Sequence, residues 1–207
     1  MTQPRLLDIL AKLQPHYQLL TIDGRRLNHY RTLYFDTPNF DLYNLHVNER
    51  AERYKVRSRE YVDSQQSYLE VKHRTRKDRT IKTRLATDRP VVEMTLDAEH
   101  WLQHVFPFET RQLQPSLWNS FTRITLVNRA LCERVTLDVD LAFYTADRAA
   151  RLDGLVIAEA KMNAGFETSP FLAQMRSQRI PPQGFSKYCM GVAMLYENVK
   201  KNGIKAK

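Results

Sequence analysis

The stretch that decides the fold is Arg53-Tyr-Lys-Val-Arg-Ser-Arg-Glu-Tyr61, in which charged and uncharged residues alternate. Because successive side chains of a β-strand point to opposite faces, the cations share one face and the uncharged residues share the other. The cations on the shared face are Lys55, Arg57 and Arg59. A strand with one basic face and one core face is therefore predicted over residues 53–61.

The same alternation recurs in five other stretches, which predicts a sheet of several strands. These stretches are Ser67–Arg74, Thr80–Leu85, Phe121–Asn128, Glu133–Phe143 and Leu155–Met162. An open antiparallel sheet with one solvated face would show this pattern too. However, Lys and Arg dominate the charged faces, and the strands are too many for one helical layer to cover. Both features favour an α+β fold built on an antiparallel β-barrel tunnel with a polar interior and flanking helices.

The predicted interior is strongly basic. Its candidate cations are Lys55, Arg57, Arg59, Lys72, Lys82, Arg84, Arg123, Arg134, Lys161 and Lys187. Its candidate anions are Glu70, Asp138, Asp140 and Glu159. Like charges about 4 Å apart repel by roughly 4 kcal/mol at an effective dielectric constant near 20. Such a cavity is unfavourable when empty, so we expect it to bind a phosphate-rich polyanion, with a divalent cation on the carboxylates.

Composition supports a folded protein and excludes several classes. The chain has 207 residues, a net charge of +9, 43% hydrophobic and 10% aromatic residues, which is too apolar for a disordered polycation. No apolar stretch reaches the roughly 20 residues of a membrane span, so a cytoplasmic protein is expected. Cys132 and Cys189 lie in no metal-binding pattern and are expected to be buried thiols. The sequence has only six glycines and no glycine-rich phosphate-binding loop. If the protein binds anions, side chains must therefore bind them.

Helical spacing and capping residues predict the flanking helices and the domain plan. Helices are expected at Arg5–Gln14, Phe40–His46, Asp97–Val105 and Glu109–Trp118, and after Ser169 and Ser186. The chain shows no repeat and no low-complexity linker. We expect one domain over residues 1–199 and a flexible tail over residues 200–207.

Six motifs in order resemble the vacuolar transporter chaperone (VTC) domain, a member of the triphosphate tunnel metalloenzyme superfamily. They are Tyr34-Phe-Asp-Thr-Pro38, Lys55-Val-Arg-Ser-Arg59, Leu69-Glu-Val-Lys72, Arg134-Val-Thr-Leu-Asp138, Glu159-Ala-Lys161 and Phe185-Ser-Lys-Tyr188. The resemblance extends from about Tyr30 to Glu197. It implies a tunnel barrel and ATP-dependent synthesis of inorganic polyphosphate with a divalent metal, commonly manganese and otherwise magnesium.

The resemblance also implies roles for individual residues. Residues that grip the phosphate chain and act in catalysis would be Arg57, Arg59, Lys72, Arg123, Arg134 and Lys187. Further phosphate contacts are expected from Lys55, Lys82, Arg84, Lys161 and Ser186. Glu159 matches the metal-binding glutamate. Glu70 and Asp138 are either metal ligands or structural partners of neighbouring arginines, and Arg123 and Arg134 could pair with Asp138 and Asp140 inside the sheet.

The start of the sequence differs from the family's pattern, and this difference bears on the predicted activity. Family members usually begin with a strand that carries a Glu-x-Lys motif, whereas this chain opens at Pro4-Arg-Leu-Leu-Asp8, which resembles the following helix. Either the start of the family domain is truncated in this sequence or the first strand is missing, and both alternatives bear on barrel closure and full activity. The leading hypothesis is a polymerase that transfers the γ-phosphoryl group of ATP to polyphosphate. The alternatives are an inorganic triphosphatase, a non-catalytic polyphosphate-binding module and general nucleic-acid binding; sequence-specific nucleic-acid binding is not expected. A membrane partner is not indicated by the sequence.

Overall fold

A computed structural model describes residues 1–162 and 169–201, which contain five α-helices and nine β-strands. The helices are α1 (Gln3–Leu13), α2 (Asp41–Val47), α3 (Leu96–Val105), α4 (Pro170–Ser177) and α5 (Lys187–Leu195). The strands are β1 (Tyr17–Leu19), β2 (Asn28–Asp36), β3 (Arg53–Tyr61), β4 (Gln66–Arg74), β5 (Thr80–Thr87), β6 (Gln114–Asn128), β7 (Glu133–Tyr144), β8 (Ala149–Leu152) and β9 (Ile157–Met162). Residues 202–207 of the predicted tail lie outside the described range.

The strands form a sheet in the order β5-β4-β3-β2-β6-β7-β8, with β1 paired to β6 and β9 paired to β7. The pairs β2–β3, β3–β4, β4–β5, β1–β6 and β7–β9 are antiparallel. The predicted α+β class with an antiparallel sheet and flanking helices is confirmed. None of the described helices is long and apolar enough to cross a membrane.

Contacts divide the chain into two compact units, each assembled from three segments. Unit 1 comprises Met1–His29, Phe121–Leu141 and Arg151–Gly184. Unit 2 comprises Tyr30–Ser120, Ala142–Ala150 and Phe185–Lys207. Each unit has a hydrophobic core of its own.

The core of unit 2 confirms the two-faced character of β3 and β4. Val56 of β3 and Leu69 and Val71 of β4 are buried and pack in one cluster with residues of α2 and α3. Leu42 of α2 and Leu102 of α3 belong to the same cluster. Burial of one fully enclosed aliphatic side chain contributes about 2 kcal/mol, so this face holds the helices on the sheet and leaves the other face for charged residues.

The core of unit 1 is built in the same way on β7. Val135 and Leu137, which alternate with the polar residues of that strand, are fully buried against α1 and α4. Ile9 of α1 and Phe171 of α4 fill the space between the helices and the strand. Ser169 caps α4 by accepting a hydrogen bond from the backbone N–H of Leu172 at 3.1 Å.

A buried carboxylate anchors α2 to the end of β2. Asp36 is fully buried and accepts hydrogen bonds from the backbone N–H groups of Thr37, Leu42 and Tyr43 at 2.8, 2.9 and 2.8 Å. The hydroxyl of Tyr188 on α5 donates to the same carboxylate. Burial raises the pKa of Asp36, although these four donors act in the opposite direction. Asp36 therefore joins the starts of α2 and α5 within unit 2.

Two predictions from the sequence are wrong. The helix expected over residues 109–118 is absent: Thr110–Gln112 is a single 3-10 turn, and β6 begins at Gln114. Leu113 and Leu117 are four residues apart, a spacing typical of one face of a helix. However, Pro115 lies between them and cannot donate an intrahelical hydrogen bond. Cys132 is exposed in the turn before β7 rather than buried, whereas Cys189 is buried as expected.

Close packing at Gly191 of α5 generates a test of this fold. A Cβ atom at this position would lie 2.6 Å from Cδ1 of the buried Phe143 and 3.1 Å from both Leu117 methyl groups. Alanine is the better helix former by about 1 kcal/mol, but overpacking a core costs about 1–3 kcal/mol. We expect Gly191→Ala to lower the free energy of unfolding in urea. Gly184→Ala is the control, because no atom lies within 4 Å of its Cβ position. Equal stability of the two variants would contradict the packing described.

Candidate functional site

Three strands of unit 2 place six cations on one face of the sheet. We call Lys55, Arg57, Arg59, Lys72, Lys82 and Arg84 the cationic face. Register sets them in rows across β3, β4 and β5: Lys55 lies opposite Lys72, and Lys72 lies opposite Lys82. The next row is Arg57, Glu70 and Arg84. Like charges directly opposite each other destabilise a sheet, so this face is costly unless anions lie near it.

The one carboxylate within these rows, Glu70, is fully buried. Its Oε2 atom accepts from Arg57 Nη2 at 2.7 Å and from Arg57 Nε at 2.8 Å, and its Oε1 atom pairs with Lys82 Nζ. Burial by itself would raise the pKa of Glu70, but Arg57, Arg59 and Lys82 outweigh it and lower the pKa. Glu70 is thus ionised and holds the two neighbouring cations in place.

Lys55 links the cationic face to the start of α5. Its Nζ donates to Ser186 Oγ at 2.9 Å, and Ser186 Oγ also caps α5 by accepting from Cys189 N at 3.2 Å. Lys187 is the first residue of that helix. Burial lowers the pKa of Lys55 to about 8, and the neighbouring cation Lys72 acts in the same direction. The structure therefore brings together Lys55, Lys72 and Ser186, three residues for which phosphate contacts were predicted from the sequence.

Arg59 is buried among polar and aromatic groups of β2. It lies opposite Thr32 in register and donates from Nε to Thr32 Oγ1 at 3.3 Å. Tyr34 lies opposite Arg57 in register. Thr32 and Tyr34 were not among the residues predicted for the site. Both residues lie on the same face of β2, two positions apart and opposite Arg59 and Arg57 of β3. This alternation could have identified them from the sequence.

Unit 1 carries a second group of predicted site residues on β6, β7 and β9. Arg123 donates from Nε and Nη2 to the two carboxylate oxygens of Asp138 at 2.6 and 2.8 Å. Arg134 lies opposite Lys161 in register, and Glu159 lies opposite Thr136. Asp140 accepts from Gln3 rather than from an arginine. Across residues 1–162 and 169–201, no ion pair involves Arg134.

The three predicted metal ligands differ in how well they fit a divalent cation. Glu70 and Asp138 were predicted either as ligands or as structural partners of arginines, and the structure shows both in ion pairs with arginine. Glu159 is more than half exposed, and its only ion pair in the described residues is with Lys161 at 3.4 Å. Hard divalent cations often bind one or two carboxylates together with substrate phosphates. Glu159 fits that arrangement, and in the described part of the chain no cluster of three metal-binding side chains occurs.

Comparisons with known proteins agree with this geometry. A family model described as the VTC domain matches residues 1–196. No match was found among curated proteins. An adenylate cyclase candidate from Bacillus halodurans is similar in structure, with a TM-score of 0.54, 13% identity, and coverage of 95% of this chain and 94% of its own. An adenylyl cyclase candidate from Hippeastrum, described as having a dominant triphosphatase activity, gives a TM-score of 0.51, 10% identity, and coverage of 96% and 94%. These similarities show the fold, which is the tunnel fold predicted from the sequence.

Removal of the Glu70 charge tests the electrostatics of the cationic face. In Glu70→Gln, Arg57, whose side chain is only 14% exposed, loses the counter-charge of the fully buried Glu70, and breaking a buried ion pair costs about 3–5 kcal/mol. We expect a fall of that size in the free energy of unfolding, measured with urea. Glu159→Gln is the matched control, because its exposed ion pair contributes about 0–1 kcal/mol. A similarly small effect of both substitutions would show that Glu70 does not hold the face together.

Proposed function

The chain belongs to the VTC domain family, and on this basis we propose that it is an ATP-dependent polyphosphate polymerase. The observation that carries the proposal is the cationic face, where six Lys and Arg side chains in adjacent register surround one carboxylate. Alternate residues of a strand are about 7 Å apart, so Lys55, Arg57 and Arg59 offer positive charge over about 13 Å along β3. A linear chain of phosphates would supply negative charge along the same line.

The proposed reaction is phosphoryl transfer from ATP to the end of a polyphosphate chain. A terminal oxygen of the chain forms a bond to the γ-phosphorus of ATP. The bond from that phosphorus to the β–γ bridging oxygen breaks, and ADP leaves with the electron pair. The transition state is loose, with charge spread over the peripheral oxygens. Catalysis therefore consists mainly of aligning the reacting phosphates and neutralising their negative charge. Arg57, Arg59 and Lys72 are proposed to supply both.

The remaining predicted residues have subsidiary roles in this proposal. Lys55, Lys82, Arg84, Ser186 and Lys187 contact further phosphates in unit 2. In unit 1, Arg123, Arg134 and Lys161 contact phosphate, and Glu159 holds Mn²⁺ or Mg²⁺. The metal supplies neutralisation of phosphate charge when bound. Glu70 and Asp138 orient the arginines that they pair with. A cytoplasmic location, where free thiols such as Cys132 stay reduced, is part of the proposal.

Charge removal on the cationic face tests the proposal. Lys72 is exposed, so Lys72→Gln should fold normally, whereas loss of a phosphate contact should reduce polymer formation at least tenfold. Arg59→Gln should have a larger effect, because Arg59 is buried within the site. The measurement is incubation with ATP and Mn²⁺, followed by gel detection of long phosphate polymers.

Lys77→Gln provides the matched control for this experiment. It removes the same charge from the exposed turn between β4 and β5, and polymer formation should be unchanged. Release of orthophosphate without polymer by the wild-type protein would favour a triphosphatase. Tight binding of polyphosphate without ATP turnover would favour a non-catalytic binding module. Equal loss of activity in Lys72→Gln and Lys77→Gln would show that net charge alone matters.

The lowered pKa of Lys55 predicts a pH dependence of binding. Lys55 carries its positive charge below about pH 8 and loses it above that value. The affinity for inorganic tripolyphosphate should therefore fall as the pH rises from 7 to 9, by about tenfold for one charged contact. Since phosphates also titrate, the quantity to compare is the ratio of wild-type affinity to that of Lys55→Met, measured by calorimetry. The ratio should approach one at pH 9; a constant ratio would argue against a contact with Lys55.

A further inference from the structure

Three tyrosines lie at one end of the cationic face, and the proposed phosphate contacts do not use them. We call Tyr30, Tyr61 and Tyr68 the tyrosine cluster. The ring centroids of Tyr30 and Tyr61 are 5.0 Å apart, and those of Tyr61 and Tyr68 are 5.8 Å apart with the rings edge to face. Tyr61 follows Arg59 by two residues on β3, so its ring lies on the same face about 7 Å further along the strand.

Two arginines of the cationic face extend this aromatic surface. Arg84 Cζ lies 4.6 Å from the ring centroid of Tyr68, and Arg59 Cζ lies 5.7 Å from that of Tyr30. Tyr68 is itself opposite Arg59 in register. The rows that would hold phosphate thus continue without a gap into a surface of aromatic rings and guanidinium groups.

Burial distinguishes the members of this surface. Tyr30 is buried, whereas Tyr61 and Tyr68 are partly exposed and Arg84 is exposed. A tyrosine needed only to fill a core would be enclosed on all sides. Tyr61, Tyr68 and Arg84 instead present planar groups at the surface of unit 2. Aromatic rings and guanidinium planes are the groups on which proteins stack nucleobases.

We propose that Tyr61, Tyr68 and the guanidinium plane of Arg84 form a stacking site for the base of a nucleoside triphosphate, while the N–H edge of Arg84 stays available for phosphate. This inference rests on the proposed function, because it places the phosphates of that nucleotide along the cationic face. The base lies at the tyrosine cluster, and the phosphates extend from Arg59 through Arg57 towards Lys55. The nucleotide therefore binds in one direction only. Because stacking does not read the base edge, purine nucleotides should bind with similar affinities.

Comparison of ATP with inorganic tripolyphosphate isolates the contribution of the base. Both ligands carry three phosphates, but tripolyphosphate has no group to stack. Base–aromatic stacking contributes about 1–3 kcal/mol, so Tyr68→Leu should weaken ATP binding by about 5- to 150-fold. Its affinity for tripolyphosphate should stay within about twofold. Tyr68→Phe keeps the ring and should bind both ligands like the wild-type protein. The affinities for both ligands are measured by titration calorimetry under conditions in which ATP is not consumed.

The outcomes separate this inference from the proposed function. If Tyr68→Leu fails to fold, Tyr61→Leu is used with the same two ligands. Equal weakening of both ligands, or no weakening of either, would overturn the stacking site while leaving phosphate binding intact. Wild-type protein that binds tripolyphosphate as tightly as ATP would also overturn it. Wild-type protein that binds neither ligand would refute the proposed function and the stacking site with it.

Discussion

The ion pairs of Glu70 are the interaction on which the rest of this structure depends. Six cations in neighbouring rows of three strands would repel one another, and like charges about 4 Å apart cost roughly 4 kcal/mol at an effective dielectric constant near 20. Glu70 lies between Arg57 and Arg84 in register and reaches Lys82 in the adjacent row. One buried carboxylate therefore offsets part of the repulsion between these cations. It still leaves the face with a large excess of positive charge, which a ligand could neutralise.

Capping interactions hold the start of α5 in place beside this face. The Ser186 hydroxyl oxygen accepts two hydrogen bonds: one from Cys189 N, which caps α5, and one from Lys55 Nζ. Two residues later, the hydroxyl of Tyr188 donates to Asp36, which also caps α2. Sequence motifs that look like ordinary helix starts are thus the points at which unit 2 fixes the position of a site residue.

Much of the fold and part of the candidate site could be predicted from the sequence, because both follow from side-chain alternation. The strand over residues 53–61 was predicted with its observed bounds, and its two faces separate charge from core as expected. The first half of β6 was missed because Leu113 and Leu117 are spaced as in a helix, although Pro115 between them disfavours a helix. The tyrosine cluster was missed for a different reason: Tyr61 and Tyr68 look like core residues until register places them beside Arg59 and Arg84.

Carboxylates in both units order arginines of the proposed site, as side-chain binding of phosphate without a glycine-rich loop would require. Backbone N–H groups in such a loop are already fixed, whereas each free arginine or lysine loses up to about 2 kcal/mol of rotamer entropy when it is ordered. Glu70 fixes Arg57 through two of its five N–H donors, and Asp138 fixes Arg123 in the same way. The guanidinium fork is rigid, so donors engaged on one edge orient the remaining donors as well. Each carboxylate therefore cancels one charge of the site but orders an arginine before any ligand binds, which would lower the entropic cost of binding the proposed phosphate chain.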